Sequence, residues 1–333
     1  MKKLMLTTAL ASSLIASAAL AELKVSGALE VTLGSGETPA TGTKTNQGTT
    51  IGYENNISFS GGTKLTNGTE VKITSTLEDS SISDQSVHFV TGGTDIYIGS
   101  DQNGGNLDDG QTVPVVANPI EDGNKGLGVS YAANKATIHN QDGIGVAQKT
   151  PAGTVSAFYV PKITSAGNTG DSNPGSVAKT GSGLAIGFAG GFGVEGLNVL
   201  ASHTTRDTDS LDAKEITMTN IGASYNFGSF TVGAQQHTVD DSNDGSAFTA
   251  GGEYKATSAG VVFAATDAIS VGYQVGKLST KTSGKVDEDT KSLTVGYNLG
   301  GATVTAQWTQ VDNKGGTSGT DGEAIELRIK QAY

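Results

Sequence analysis

One set of side chains able to do chemistry lies on the long connection between Asp101 and Asp142. It holds Asp101, Asp108, Asp109, Glu121, Asp122 and Asp142 against only Lys125 and Lys135. Carboxylates lining a narrow wet passage concentrate cations and repel anions, whereas on an exposed loop the same residues merely hold water. Within this stretch, Asp101, Asn103, Asp108 and Asp109, bent by glycines, offer the hard oxygen ligands that calcium favours. Thr112 stands where the twelfth-position glutamate of an EF-hand loop would be, and ordinary polar turns use the same residue types. Both readings stay open. Covalent and redox chemistry have less to work with. The chain has no cysteine, which removes disulfides, zinc-thiolate sites and thiol nucleophiles. His88, His139, His203 and His237 have no close-spaced metal pair, and neither a Gly-x-Ser-x-Gly elbow nor a phosphate-cradling lysine loop occurs. The expectation is a protein that is not an enzyme and needs no cofactor.

The elements that must carry these side chains are written in composition and periodicity. Of 333 residues, 48 are glycine, about twice the usual share, and the hydrophobic fraction is 35%, a thin supply for one large soluble core. The formal net charge is -12 and the only arginines are Arg206 and Arg328, which argues against nucleic acid as a partner. Residues 1–21 read as a signal peptide. Lys2 and Lys3 precede an apolar run, and Ala19-Leu20-Ala21 is a small-x-small cleavage site. Removing 21 residues and two lysines leaves 333 - 21 = 312 residues and takes the charge from -12 to -14. Residues 22–333 then form a single domain, in which no run approaches the roughly 18 apolar residues of a spanning helix.

That domain repeats one motif: about ten alternating residues, then a glycine-rich or Asp/Asn-rich break. Leu23, Val25, Leu29, Val31 and Leu33 share one face of a strand, with Lys24, Ser26, Glu30 and Thr32 on the other. Leu293, Val295, Tyr297 and Leu299 alternate with small polar residues, as do Val304, Ala306 and Trp308, and Ile325, Leu327 and Ile329. The pattern predicts sixteen strands: 23–33, 50–60, 69–78, 86–90, 94–100, 143–149, 154–160, 182–189, 195–204, 215–227, 229–239, 247–264, 269–279, 290–299, 302–312 and 323–333. Short connections such as Gly228-Ser229 and Gly300-Gly301 alternate with long polar ones, as in an up-and-down antiparallel sheet whose rims face different surroundings. Low apolar content with many strands suits an all-β transmembrane antiparallel barrel, apolar outside against lipid and polar inside. Tyr225, Phe227, Phe230, Tyr297 and Tyr333 sit near segment ends, as in interfacial girdles. A secreted all-β surface or adhesion protein is the alternative of a different class.

Three segments carry a family likeness. Phe59-Ser60-Gly61-Gly62-Thr63-Lys64-Leu65-Thr66-Asn67-Gly68-Thr69-Glu70 resembles the junction of the second and third strands in the Gram-negative general porins. Gly93-Thr94-Asp95-Ile96-Tyr97-Ile98-Gly99 is similar to the strand leading into their constriction loop. Gly143 to Gly153, followed by Ser156 to Pro161, is similar to the hairpin after it. The likeness implies a sixteen-stranded outer-membrane barrel in a Gram-negative cell, a homotrimer in lipid, and passive diffusion of ions and small hydrophilic solutes. It implies that residues 101–142 fold inward as a constriction loop bearing Asp101, Asp108, Asp109, Glu121 and Asp122. Facing them, the inward bases Lys24, Lys72, Arg328 and Lys330 alternate with the acids Glu30, Glu70, Glu78 and Glu326 on the pore wall. With two arginines the family's arginine cluster cannot form, so a preference for cations is expected. Tyr333 ends the chain where the family mostly has Phe, and Gln331 stands at an outward position. A substrate-selective channel with a dedicated site in the lumen is the runner-up.

Overall fold

A computed structural model describes residues 23–38, 40–41, 45–79, 81–99, 112–116, 143–161, 182–207, 215–246 and 250–333. Sixteen long strands account for most of them. They are β1 (Lys24–Thr38), β2 (Thr45–Lys64), β3 (Glu70–Glu78), β4 (Ser81–Thr91), β5 (Thr94–Gly99), β6 (Gly143–Thr150), β7 (Gly153–Val160) and β8 (Gly183–Gly190). The second half comprises β9 (Leu197–Asp207), β10 (Glu215–Phe227), β11 (Phe230–Ser246), β12 (Ala250–Ala264), β13 (Ile269–Thr280), β14 (Glu288–Asn298), β15 (Ala302–Asp312) and β16 (Thr320–Ala332). A two-residue piece, Ala40–Thr41, adds to the upper end of β16. All sixteen expected strands exist in the expected order. Their ends shift, most at β2, which runs 45–64 against the expected 50–60.

Each strand pairs antiparallel with its sequence neighbour, and β1 pairs with β16 from Ala28↔Ala332 to Gly36↔Ala324. The ring is therefore closed, and closure satisfies backbone donors and acceptors that lipid cannot. Tyr333 completes it: its N–H and C=O both bond Gly27, each at 2.9 Å. One rim is made of tight turns. At Gly92–Gly93 both residues take positive φ (57° and 86°), which a two-residue hairpin linking twisted strands requires. The long connections leave from the other rim.

The two faces of the wall have opposite character. On β14, Leu293, Val295 and Tyr297 are 44%, 43% and 45% exposed on the outside, while Ser292 and Thr294 between them are buried on the inside. Ile325 and Ile329 likewise face out on β16, with Glu326 inward. A continuous apolar outer belt of this kind is what hydrocarbon covers. At the tight-turn rim the belt ends in stacked aromatics: Tyr225–Phe227, Phe227–Phe230 and Phe230–Phe263 centroids lie 6.3, 5.7 and 4.6 Å apart. Tyr333 lies over Gly27 on this outer surface and donates its hydroxyl to Asn55 Oδ1 at 3.0 Å.

The inner face departs from a uniformly polar wall. Tyr97, Phe158, Val160 and Ala185 form a buried cluster there, and Ile216, Met218, Val239 and Tyr254 another. The first has a local cause. Gly145 and Gly143 leave the backbone bare on β6, and the rings of Tyr97 and Phe158, stacked 5.9 Å apart, cover it.

Candidate functional site: the lumen and its inner segment

Strand parity places every expected wall residue on the inner face. Glu30 on β1 is buried and crosses the closing seam to β16. Arg328 Nη1 donates to its carboxylate at 3.0 Å, and Lys330 pairs with the other oxygen. Register opposes Glu30 to Lys330 directly and sets Arg328 one diagonal step away, which is why one carboxylate meets both cations. Lys72 and Glu70 form a second pair at 3.5 Å on β3, with half-exposed side chains, beside the tight turn at 65–69. Lys24 stands opposite Ser60 on β2, exposed in the bore. Among the described residues no ion pair joins the Glu30 group to the Glu70 group.

Asp101, Asn103, Asp108, Asp109, Glu121 and Asp122 lie outside the described residues, and with them the calcium-ligand set. Among the described residues no group of three or more His, Asp or Glu could hold a metal ion. Part of the same connection is described, and it does lie inside the barrel. Thr112-Val113-Pro114-Val115-Val116 runs across the inner faces of five consecutive strands. Thr112 N–H donates to Gln235 Oε1 on β11 at 2.6 Å, and Gln274 Nε2 on β13 donates to Pro114 O at 3.0 Å.

Glycines make the room. Gly222 on β10, Gly233 on β11, Gly260 on β12, Gly272 on β13 and Gly296 on β14 all face inward beneath the segment. A Cβ on Gly233 would sit 2.6 Å from Thr112 O, one on Gly260 2.8 Å from Val113 Cγ1, and one on Gly272 3.1 Å from Val116 Cγ2. The wall thus carries a track of missing side chains with a glutamine clamp on two of its strands. These seat residues were not among the candidates drawn from sequence. Their signal is a polar residue two positions from each glycine: Asn220-x-Gly222, Gly233-x-Gln235, Ser258-x-Gly260, Gly272-x-Gln274 and Thr294-x-Gly296.

Above the seat, the wall is joined to the long-connection rim by Glu288 on β14. Its carboxylate accepts from Lys314 Nζ at 3.3 Å and from Gly315 N–H at 2.8 Å. On β4 and β5, His88 Nδ1 meets Asp95 at 3.0 Å, its Nε2 meets Ser86 Oγ at 3.0 Å, and its ring stacks on Tyr97. The lumen is thus lined by polar side-chain networks and narrowed on one side by a clamped chain segment.

A closed barrel with a lipid-facing exterior, a polar bore and an inner segment laid along the wall defines a β-barrel channel of the outer membrane. The sequence profile of the Gram-negative porins matches residues 7–316, and the chain belongs to that family. The family consists of outer-membrane channel proteins rather than enzymes. No curated protein matches the sequence. Among solved structures, a porin refined at 1.8 Å resolution is 16% identical and covers 94% of this chain and 100% of its own, with a TM-score of 0.68. An anion-selective porin from Comamonas acidovorans is 13% identical over 94% of this chain and 100% of its own, TM-score 0.65. OmpT of Vibrio cholerae, expressed in the outer membrane, is 14% identical over 95% and 99%, TM-score 0.63.

Proposed function

We propose that this porin passes ions and small hydrophilic solutes by passive diffusion, with a preference for cations, and that it works as a homotrimer in outer-membrane lipid after loss of residues 1–21. The observation that carries the reading is the segment 112–116 clamped inside a polar bore, which leaves an aqueous path and narrows it. The sign of selectivity is set by side chains, since a barrel of the same fold is named anion-selective. On this wall, at inward positions by register, Glu30, Glu54, Glu70, Glu78, Asp95, Glu288 and Glu326 are balanced by Lys24, Lys64, Lys72, Lys149, Arg206, Arg328 and Lys330. A balanced wall leaves the surplus to the loop, where Asp101, Asp108, Asp109, Glu121, Asp122 and Asp142 outnumber Lys125 and Lys135. The trimer rests on family resemblance alone.

Reversal potential across a planar bilayer under a salt gradient tests the selectivity. A potential of the sign set by the more mobile cation supports the proposal, and one set by the anion overturns it. The same bilayer separates a general pore from a substrate-selective one, because the latter's conductance saturates and is blocked by its solute. Cross-linking in native membranes reads the number of chains.

A further inference from the structure

The contacts around His88 have a direction. Asp95 meets Nδ1 with both oxygens, at 3.1 and 3.0 Å, and a carboxylate has no proton to give, so the ring proton sits on Nδ1. In the neutral imidazole Nε2 then carries the lone pair, and Ser86, whose Oγ lies 3.0 Å away, is the donor. Thr74 Oγ1, at hydrogen-bond distance from Ser86 Oγ, accordingly donates to it. The result is a chain of donors from Thr74 through Ser86 and His88 to Asp95. Strand register holds it in place. Ser86 and His88 are two residues apart on the inner face of β4, Thr74 stands opposite Ser86 on β3, and Asp95 lies one diagonal step from His88 on β5.

We propose that Ser86, His88 and Asp95 form an acyl-accepting site in the bore wall, with Ser86 as nucleophile, His88 as its base and Asp95 as the positioning residue, open to small activated esters that enter the bore. A hydroxyl is a weak nucleophile until a base within reach takes its proton and a third group orients that base. Ser86 Oγ bonds to the carbonyl carbon and its proton passes to His88 Nε2. The bond from that carbon to the leaving oxygen breaks, and the same proton departs with the leaving alcohol. The Thr74 hydroxyl, released once Ser86 Oγ is committed to the ester, turns to the oxygen that carries the negative charge. Lys72, opposite His88 on β3, brings positive charge to the same side and shares it with Glu70 at 3.5 Å. Room comes from Gly99, opposite Ser86 on β5: a Cβ there would lie 2.7 Å from Ser86 Cβ. Ser86 is 3% exposed, while the His88 and Asp95 side chains are 18% and 33% exposed toward the bore. One hydroxyl in place of a pair of backbone N–H donors suits a single transfer per chain rather than turnover, so the site is an addition to the channel. It rests on the bore being open to solutes.

Phenylmethylsulfonyl fluoride tests the site on the full chain folded in detergent micelles, because its serine ester is not hydrolysed and the label accumulates. Ser86 Oγ bonds to sulfur, the S–F bond breaks, and the proton taken by His88 leaves with fluoride. One sulfonyl group per chain, mapped to Ser86, is expected, with the chain unfolded in denaturant unlabelled there. Excess p-nitrophenyl acetate competes for the same oxygen and is expected to slow the labelling. His88→Gln, which keeps an acceptor but cannot take the proton, should slow it roughly 100-fold or more. Asp95→Asn should slow it roughly ten-fold or more, and Asp95→Glu, which restores a carboxylate, should recover part of the loss. The proposal is overturned by a Ser86 that stays unlabelled in the folded wild type, that labels as fast in the unfolded chain, H88Q or D95N, or that is indifferent to the ester. The wild-type measurements decide it even where a variant does not fold. Conductance of the same preparation reads the pore separately. A conducting barrel with no label at Ser86 overturns the site alone, a labelled barrel that does not conduct overturns the pore reading alone, and one that does neither overturns both.

Discussion

Replacing Gly260 with alanine puts a methyl carbon 2.8 Å from Val113 Cγ1, about 1 Å inside the roughly 3.5–4.0 Å that non-bonded carbons prefer. Something must move, and the two sides are unequal. Gly260 sits in β12, opposite Gly233 on one side and Gln274 on the other, in a ring with no free end. The segment 112–116 is held by side-chain clamps, so it yields by about 1 Å toward the axis. Overpacking of this size costs about 1–3 kcal/mol, and Val113→Ala alone loses about 1–2 kcal/mol of buried methyl contact. Combined, the two changes do not add, because V113A removes the atom that G260A strikes. The coupling is expected at about 1–2 kcal/mol, within the range for residues in contact. Denaturant unfolding in detergent micelles measures the cycle, and single-channel conductance should fall for G260A and recover in the double variant. Stabilities that add within about 0.5 kcal/mol, with conductance unmoved by G260A, would refute the close seating of the segment on the wall.

Three further outcomes follow from the same geometry. Leu293→Arg places a charge on the lipid face and should destabilise the folded barrel by about 2–4 kcal/mol if it sits near the bilayer midplane, read by refolding into vesicles. Glu30→Gln leaves Arg328 and Lys330, neighbours on the inner face of β16, without the Glu30 charge that meets them across the closing seam. The loss of its charge-assisted bonds should lower stability by about 1–3 kcal/mol and move the reversal potential toward anions. Tyr333→Ala removes both the bond to Asn55 and the ring that covers Gly27, and should slow barrel closure in stopped-flow refolding.

Period-two alternation is a local signal, so every strand was legible from the chain, and so was the inward placing of Glu30, Lys72 and Arg328. Which inward side chains meet was not. Glu30 and Arg328 are separated by almost the whole chain, and only the register of β1 on β16 brings them to 3.0 Å. The seat was hidden for a related reason. One inward glycine on a strand says little, and five become a track only when the strands are set side by side. Tyr97 and Phe158 show the converse: their inward position follows from parity, but their burial depends on glycines of the strand between them, Gly145 standing opposite both. The acidic residues of 101–142 were read from composition, and the described part of that stretch is held by Thr112 and Pro114, neither of which carries charge.

The bonding of Tyr333 to Gly27 has a bearing on biogenesis. Until β16 has been delivered, any partial product is a sheet with two raw borders, each able to pair with a stranger. Assembly of this protein is thus bound to the export of that strand, and what precedes it must be kept from foreign pairing until then.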